Sequence, residues 1–181
     1  MAILKIPVGP QDHAAGPESA PVTLVEYGDY QCPYCGAAHP MVRQLQARFG
    51  DDLRFVFRNF PITELHPEAM NAASTAEFAA GHDRFWPVHD ALYEHQRRLG
   101  PAFYEQVVAA QGLSPQDLES ALAAGTYQER IRSDFNSGVR SGVNGTPTFF
   151  INGQRYDGAL DVEDLAEVLA SVVGEGRSQS R

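Results

Sequence analysis

Apolar residues change their spacing along the chain, and each change marks a predicted element. Val22–Tyr27 (VTLVEY) is a run of apolar and β-branched residues with a proline before it and Gly28 after it, the pattern of a buried strand. From Cys32 to Phe49 the apolar residues Met41, Val42, Leu45 and Phe49 recur at helical spacing, and Gly50 follows as a C-cap would. Leu53–Phe57 (LRFVF) predicts a second strand, ended by Asn59-Phe60-Pro61. Strand, helix and strand with a crossover of this length form a βαβ unit, which implies parallel strands and a right-handed connection.

Beyond Pro67 the strand pattern disappears until about Ser141. Alanine-rich and amphipathic stretches predict helices over Ala69–Ala80, Pro87–Arg98, Ala102–Gln111, Pro115–Ala124 and Gln128–Ser141. Ser114-Pro115 reads as cap and first helical residue, and Gly100-Pro101 as a break and restart. Strand character returns at Thr148–Ile151, followed by the hairpin signal Asn152-Gly153 and by Gln154–Tyr156. Asp161–Val173 predicts a closing amphipathic helix with Val162, Leu165, Val168, Leu169 and Val172 on one face, and the polar tail GEGRSQSR is expected to fray. The expected architecture is α/β. A core of residues 1–61 and 142–181 is interrupted by an all-helical subdomain over 62–141, whose two ends lie close together.

Composition narrows the function classes. The chain has 181 residues, 43% hydrophobic and 20% charged, enough for one globular domain with a sizeable core. A net charge of −9 argues against nucleic acid or an anionic membrane surface as partner. No stretch approaches the roughly 18 apolar residues of a membrane span. The start MAILKIPVGPQDHAAG does not read as a signal peptide, so a cytoplasmic location is expected, or a periplasmic or exported one if the native chain begins upstream.

The two cysteines of the chain stand together, in Tyr30-Gln31-Cys32-Pro33-Tyr34-Cys35-Gly36. Cys32 falls at a helix start, where unpaired backbone N–H groups and the helix dipole favour an anion, so its pKa is expected to drop into the range of roughly 3.5–7.5. Pro33 suits the first helical position, and Cys35 lies one turn on, within reach of a disulfide. Structural zinc needs four ligands, and there is no second CxxC; His13, His39, His66, His82, His89 and His95 are scattered, so no metal is expected. A staple across two residues would close too short a loop to stabilise much. Redox exchange fits this setting best.

With its CPYC at a helix start, a strand before it, inserted helices and GTPTFFING late in the chain, the sequence resembles the DsbA family of thioredoxin-fold oxidoreductases from about Asp12 to Val173. The resemblance implies a thioredoxin-like fold with an inserted helical subdomain, Cys32 as nucleophile and Cys35 as resolving cysteine. It also implies that Glu26 is a buried acid exchanging a proton with Cys35, that Pro40 corresponds to the helix-kinking proline, and that Thr146-Pro147 carries the cis-proline facing the disulfide. Pro33, Tyr34, Thr146 and Pro147 would then touch substrate. Pro-Tyr between the cysteines departs from the Pro-His of the best-known oxidases, which removes an imidazole from the thiolate. Arg58 would stand near the site or as a solvated strand end, and His39 at its edge or capping a turn. Phe85, Trp86, Phe103 and Tyr104 read most simply as core.

The leading expectation is a thiol-disulfide oxidoreductase acting on cysteine-containing proteins or small thiols, with a thiol redox partner, no cofactor beyond the Cys32-Cys35 disulfide, and a monomeric state. Two other classes compete with it: a peptide-binding or chaperone-like module whose CxxC is a redox switch, and a metal carrier using the two thiolates.

Overall fold

The computed structural model describes residues 2–179. Its centre is a five-stranded sheet in which β1 (His13–Ala15) edges the sheet, β2 (Val22–Gly28) and β3 (Leu53–Asn59) pair in parallel, and β4 (Thr148–Ile151) and β5 (Gln154–Tyr156) follow antiparallel in the order β1-β3-β2-β4-β5. The β4–β5 hairpin turns on Asn152 and Gly153, whose φ of 46° and 82° is the left-handed pairing that Asn-Gly tolerates. Alternation along the strands sorts the sheet into two faces. Leu24, Phe55, Phe57, Phe149 and Ile151 enter the larger core, while Val25, Tyr27, Val56 and Phe150 join Phe60 and Val143 in a smaller one on the other side. Both faces are covered, which is why β2 and β3 read as continuous apolar runs.

Helix α1 (Pro33–Phe49) turns Cys35, Ala38, Met41, Val42 and Leu45 inward, and packs beside α7 (Val162–Gln179). Between β3 and β4 lie α2 (Ala69–Ala80), α3 (Phe85–Glu94), α4 (Pro101–Ala110), α5 (Pro115–Ala124) and α6 (Gln128–Arg140). Ala69, Ala72, Ala73, Ala76 and Ala79 are buried on α2, and their small side chains let α3, α4, α5 and α6 all approach it. α5 has the predicted ends: Ser114 accepts from the Asp117 N–H, Pro115 opens the helix, and Gly125 closes it in the left-handed region. The contact that matters for chemistry is α3 against α1, which carries the helical block to the cysteine pair.

The structure departs from the sequence reading at several points. β1 is absent from the sequence pattern, because its three residues have weak strand propensity and are held by distant partners: edge pairing to β3, and for His13 a bond to Glu77 and stacking on Phe85. The stretch Pro87–Arg98 is not one helix; α3 covers Phe85–Glu94 and a separate 3-10 turn covers Gln96–Arg98. On α7, Val168 is exposed, and Ala166 and Val173 take inward places with Leu165 and Leu169. The expected fraying is not seen up to Gln179, where α7 is still helical, and the rest of that tail lies outside the described residues. Arg58 is neither a solvated strand end nor an active-site cation. It points to the smaller core, where Nε and Nη2 grip Asp12 bidentately (2.7 and 2.9 Å), while Nη1 and Nη2 donate to the carbonyls of Ile6 and Pro7, and Nη1 also to the Tyr27 hydroxyl.

That buried pair fastens the N-terminal segment across β3. Asp12→Ala should leave the Arg58 guanidinium buried without its counter-ion, costing about 3–5 kcal/mol. Urea denaturation reads this directly, and a midpoint unchanged from wild type would show that the pair contributes nothing.

Candidate active site

The site forms where β2 ends and α1 begins. Gly28 closes the strand, Asp29 and Tyr30 turn the chain, and Cys32, with extended φ/ψ of −67° and 122°, is the N-cap of α1 with no side-chain hydrogen bond to the helix. Its carbonyl accepts the Gly36 N–H at 3.1 Å, and Pro33 enters as the first helical residue. A sulfur therefore occupies the place where a hydroxyl or carboxylate cap normally satisfies the free N–H groups. The Cys32 thiol falls to about 5. Donation from the Cys35 thiol is the largest cause, and Thr146 and the N–H groups of Cys35 and Tyr34 assist. The Thr146 hydroxyl is buried and has no hydrogen-bond partner.

Cys35 has the opposite environment. It is fully buried, and burial raises its pKa well above the ordinary thiol value, with the Cys32 sulfur and the charge of Glu26 adding to the rise. Glu26 stands on the same face of β2 as Leu24, so strand alternation aims it at the α1 side of the sheet. It is 2% exposed, and burial first, then the Cys32 charge, lifts its pKa to about 8. At neutral pH it is mostly a neutral acid beneath the two sulfurs.

On the far side of the sulfurs, the Thr146-Pro147 bond is cis, and the Thr146 carbonyl lies 3.4 Å from Cys32 Sγ. Tyr34 is 72% exposed and borders a cleft of about 350 Å³ walled by Ala37, Met41, Leu160 and Val162. Thus Cys32, Cys35, Glu26, Pro33, Thr146 and Pro147 converge at the start of α1, with Tyr34 facing outward beside them. Pro40 lies within α1, where it leaves the Gly36 carbonyl without an i+4 donor. His39 does not edge the open site; it is buried and stacked on Tyr93, with ring centroids 5.2 Å apart.

Several supports escaped sequence reasoning. The Gln96 amide donates to the carbonyls of Tyr30 (2.7 Å) and Cys32 (2.9 Å), holding the cysteine turn from the helical block. Gly36 leaves the amide its place, since a Cβ there would stand 2.0 Å from Gln96 Oε1 and push the side chain off these carbonyls. The Asp29 N–H donates to Cys35 Sγ at 3.5 Å, while its carboxylate accepts from the N–H groups of Gln31 and Ile62 and pairs with His66. An aspartate in the turn before CxxC carried a faint signal, that of a side chain accepting from the backbone two residues on. Tyr93 and Gln96 carried none. The Tyr93 hydroxyl and Glu26 Oε1 are both buried and unpartnered, and both lie within 3.0 Å of where a Cβ on Gly28 would stand.

With this geometry in place, the chain can be set beside known proteins. A family model described as thioredoxin matches residues 9–171. Among curated proteins, Na(+)/H(+) antiporter NhaA 1 of Salinispora arenicola is 41% identical over 98% of this chain, and NhaA of Herminiimonas arsenicoxydans is 39% identical over 92%. In both cases the match spans 27% of the relative, so the chain covers about a quarter of the length of these proteins. Among solved structures, oxidised BdbD of Bacillus subtilis superposes with a TM-score of 0.86 at 24% identity, covering 96% of this chain and 98% of its own. Alpha-DsbA1 of Wolbachia pipientis gives 0.85 at 17% identity, with 98% of both chains covered. A thioredoxin-like oxidoreductase of Silicibacter pomeroyi gives 0.78 at 25% identity, with 94% of both covered.

Two titrations test the electrostatics. The absorbance of the Cys32 thiolate should show a midpoint near pH 5, and Cys35→Ala should move it upward by removing the largest stabilising donor. A midpoint indifferent to Cys35 would dismiss that hydrogen bond. For Glu26, the folded pKa of about 8 exceeds the unfolded value of about 4.3, so the fold retains a proton that the unfolded chain releases. Stability of the reduced protein is free of this cost below about pH 4.3 and falls as pH rises towards 8. Relative to wild type, Glu26→Gln should therefore gain on the order of 3–4 kcal/mol between pH 4.3 and pH 7. Parallel pH profiles in urea denaturation would place Glu26 in contact with water.

Proposed function

We propose that this chain, which belongs to the thioredoxin family, acts as a thiol-disulfide oxidoreductase whose preferred direction is oxidation of substrate thiols. One observation carries the reading. Two sulfurs one helical turn apart are pushed to opposite protonation states, Cys32 down to about 5 and Cys35 up, over an acid whose pKa is about 8. A structural pair has no use for that asymmetry, whereas disulfide exchange requires it.

In the oxidised protein, a substrate thiolate attacks Cys32 Sγ, a new substrate–Cys32 disulfide forms, and the Cys32–Cys35 bond breaks. Cys35 leaves as a thiolate and takes the proton of Glu26. A second substrate thiolate then attacks the substrate sulfur of the mixed disulfide, forming the substrate disulfide and expelling Cys32 as a thiolate. Two electrons have passed to the protein, which now holds Cys32 as thiolate and Cys35 as thiol. The final departure is eased by the α1 N–H groups, the Cys35 thiol and Thr146, so the missing imidazole at position 34 is replaced by other donors. Stabilising the reduced state in this way makes the disulfide an oxidant. A thiol redox partner must remove the electrons again.

Substrate would lie in extended form across the Thr146-Pro147 segment, with an apolar side chain in the cleft beside Tyr34. Cysteine-containing polypeptides fit this shape better than a small thiol. Sodium–proton exchange, named for the curated relatives, is not carried over. The chain spans 27% of their length, and among the described residues no helix is long and apolar enough to cross a membrane.

The reduction potential tests the direction. Cys32, at about 5, lies between the thioredoxin and DsbA nucleophiles at about 7 and about 3.5. The potential should accordingly fall between about −270 mV and about −120 mV. A value at or below −270 mV would reverse the direction to reductase. In the same assay Cys32→Ser should abolish exchange and Cys35→Ser should accumulate mixed disulfides; equal trapping by both variants would sink the assignment of nucleophile.

A further inference from the structure

Behind the cysteine pair, one turn further along α1, lies a second cluster that disulfide exchange does not use. His39 from α1 and His89 and Asp90 from α3 bring a nitrogen or oxygen atom each to within 4.8 Å of one another. We propose that these three side chains form a site for a divalent transition cation, zinc being the best fit, which bridges the cysteine-bearing helix to the inserted helical block.

His39 Nε2 is buried, has no hydrogen-bond partner, and faces Asp90 Oδ1 at 3.7 Å. An orphaned polar atom in a protein interior needs a reason, and a bound ion supplies one. The ring cannot turn away freely, since it is stacked on Tyr93 and set edge-on to His89, with centroids 5.2 and 5.6 Å apart. His89 is also fixed. Its Nδ1 lies 2.8 Å from the Tyr30 hydroxyl, and Phe57, Phe85 and Trp86 surround the ring; in the proposed site Nδ1–H donates to that hydroxyl and Nε2 takes the cation. An imidazole held through one nitrogen by an oxygen partner is the outer-shell arrangement of metal-ligating histidines.

Asp90 divides its carboxylate. Oδ1 faces His39 while Oδ2 lies 3.6 Å from an Arg43 guanidinium nitrogen. Arg43 is more than half exposed and meets only the outer oxygen, so it orients the carboxylate without occupying the inner one. Glu94, one turn on along α3, adds negative charge towards His39. Two imidazoles and a carboxylate are a recurring zinc donor set, with the fourth position left to water on the side where Asp90 meets solvent. Ligand atoms up to 4.8 Å apart must close to about 3.4 Å around a tetrahedral zinc, a movement shared between rotation of the half-buried Asp90 side chain and a small approach of α3 to α1. The expectation of no metal came from ligand spacing along the chain. Spacing along the chain does not register this cluster, because His39 and the His89-Asp90 pair meet only once α3 docks on α1.

The test uses full-length protein carrying Cys32→Ser and Cys35→Ser, so that neither thiolate can bind metal and no redox activity enters the readout. Calorimetric titration with zinc chloride should give one ion per chain, and cobalt(II) should give the visible absorption of a four-coordinate N/O site. His39→Gln and Asp90→Asn, each near in size to the original, should weaken zinc by more than about tenfold. Tyr30→Phe, which removes only the outer-shell bond to His89, should weaken it by about 10–100-fold. Metal-free melting curves of each variant establish that the fold persists. Absence of zinc binding in the double-serine protein, or an affinity unchanged by both His39→Gln and Asp90→Asn, overturns the proposal.

Discussion

An α-helix begins with N–H groups that no residue within the helix can satisfy, and at the start of α1 the side chain in the cap position is a sulfur that stands near them without a capping hydrogen bond. Because the cap position of that helix is Cys32 and not serine or aspartate, the usual oxygen acceptor is missing. The nearest atom able to carry negative charge there is Sγ. Much of the surrounding structure serves to keep it in that position. Pro33 presets the first helical φ and surrenders an N–H that would have had no acceptor. Gln96 holds the carbonyls on both sides of the turn, Asp29 fixes the approach from β2, and Thr146 closes the far side. Moving any of them leaves the cysteine sequence intact and misplaces the sulfur relative to its donors.

The second constraint is the alternation of β2. Leu24 and Glu26 share a face, so the period that buries an aliphatic side chain also buries a carboxyl. Burial without an ion pair raises the acid's pKa, and the same burial raises that of Cys35 above it. The two groups are then matched as proton donor and acceptor in a way that neither would be in water. The cost is real, because Glu26 Oε1 has no hydrogen-bond partner and neither has the neighbouring Tyr93 hydroxyl. Such unsatisfied groups collect at functional sites, where they are retained for chemistry and offset by packing elsewhere.

Local interactions were legible in the sequence. The VTLVEY and LRFVF runs, the Ser114-Pro115 start and the Asn152-Gly153 turn each obey rules that span a few residues, and each appears where its residues predict it. The CxxC at a helix start was legible for the same reason. Features set by distant partners were not. Arg58 reads as a strand-end charge until Asp12, far from it in sequence, folds over β3 and takes its guanidinium. Val168 continues an apolar stripe on paper, yet α7 rests on the sheet through Leu165, Ala166 and Leu169 and turns Val168 to solvent. Gln96 and Tyr93 belong to the helical block, and nothing in their neighbours along the chain reveals that they reach the cysteine turn.

Those two residues change how the helical block should be understood. The sheet, α1 and the Thr146-Pro147 segment supply the reacting groups, and a minimal site could be drawn from them alone. In this protein, however, α3 and the turn after it provide the wall behind the sulfurs. Tyr93 lies against Gly28, His39 stacks on Tyr93, and Gln96 ties the carbonyls of Tyr30 and Cys32. Gly28 and Gly36 are the places where this wall comes closest; a Cβ there would meet Tyr93 Oη at 2.7 Å, or displace Gln96, whose Oε1 would stand 2.0 Å away. The helical block is thus part of the dielectric boundary that keeps water from Cys35 and Glu26. A shift of α3 away from α1 would hydrate both groups and return their pKa values towards ordinary ones. The separation of protonation states between the two sulfurs therefore depends on how firmly α3 is docked against α1, as much as on the identity of the residues between the cysteines.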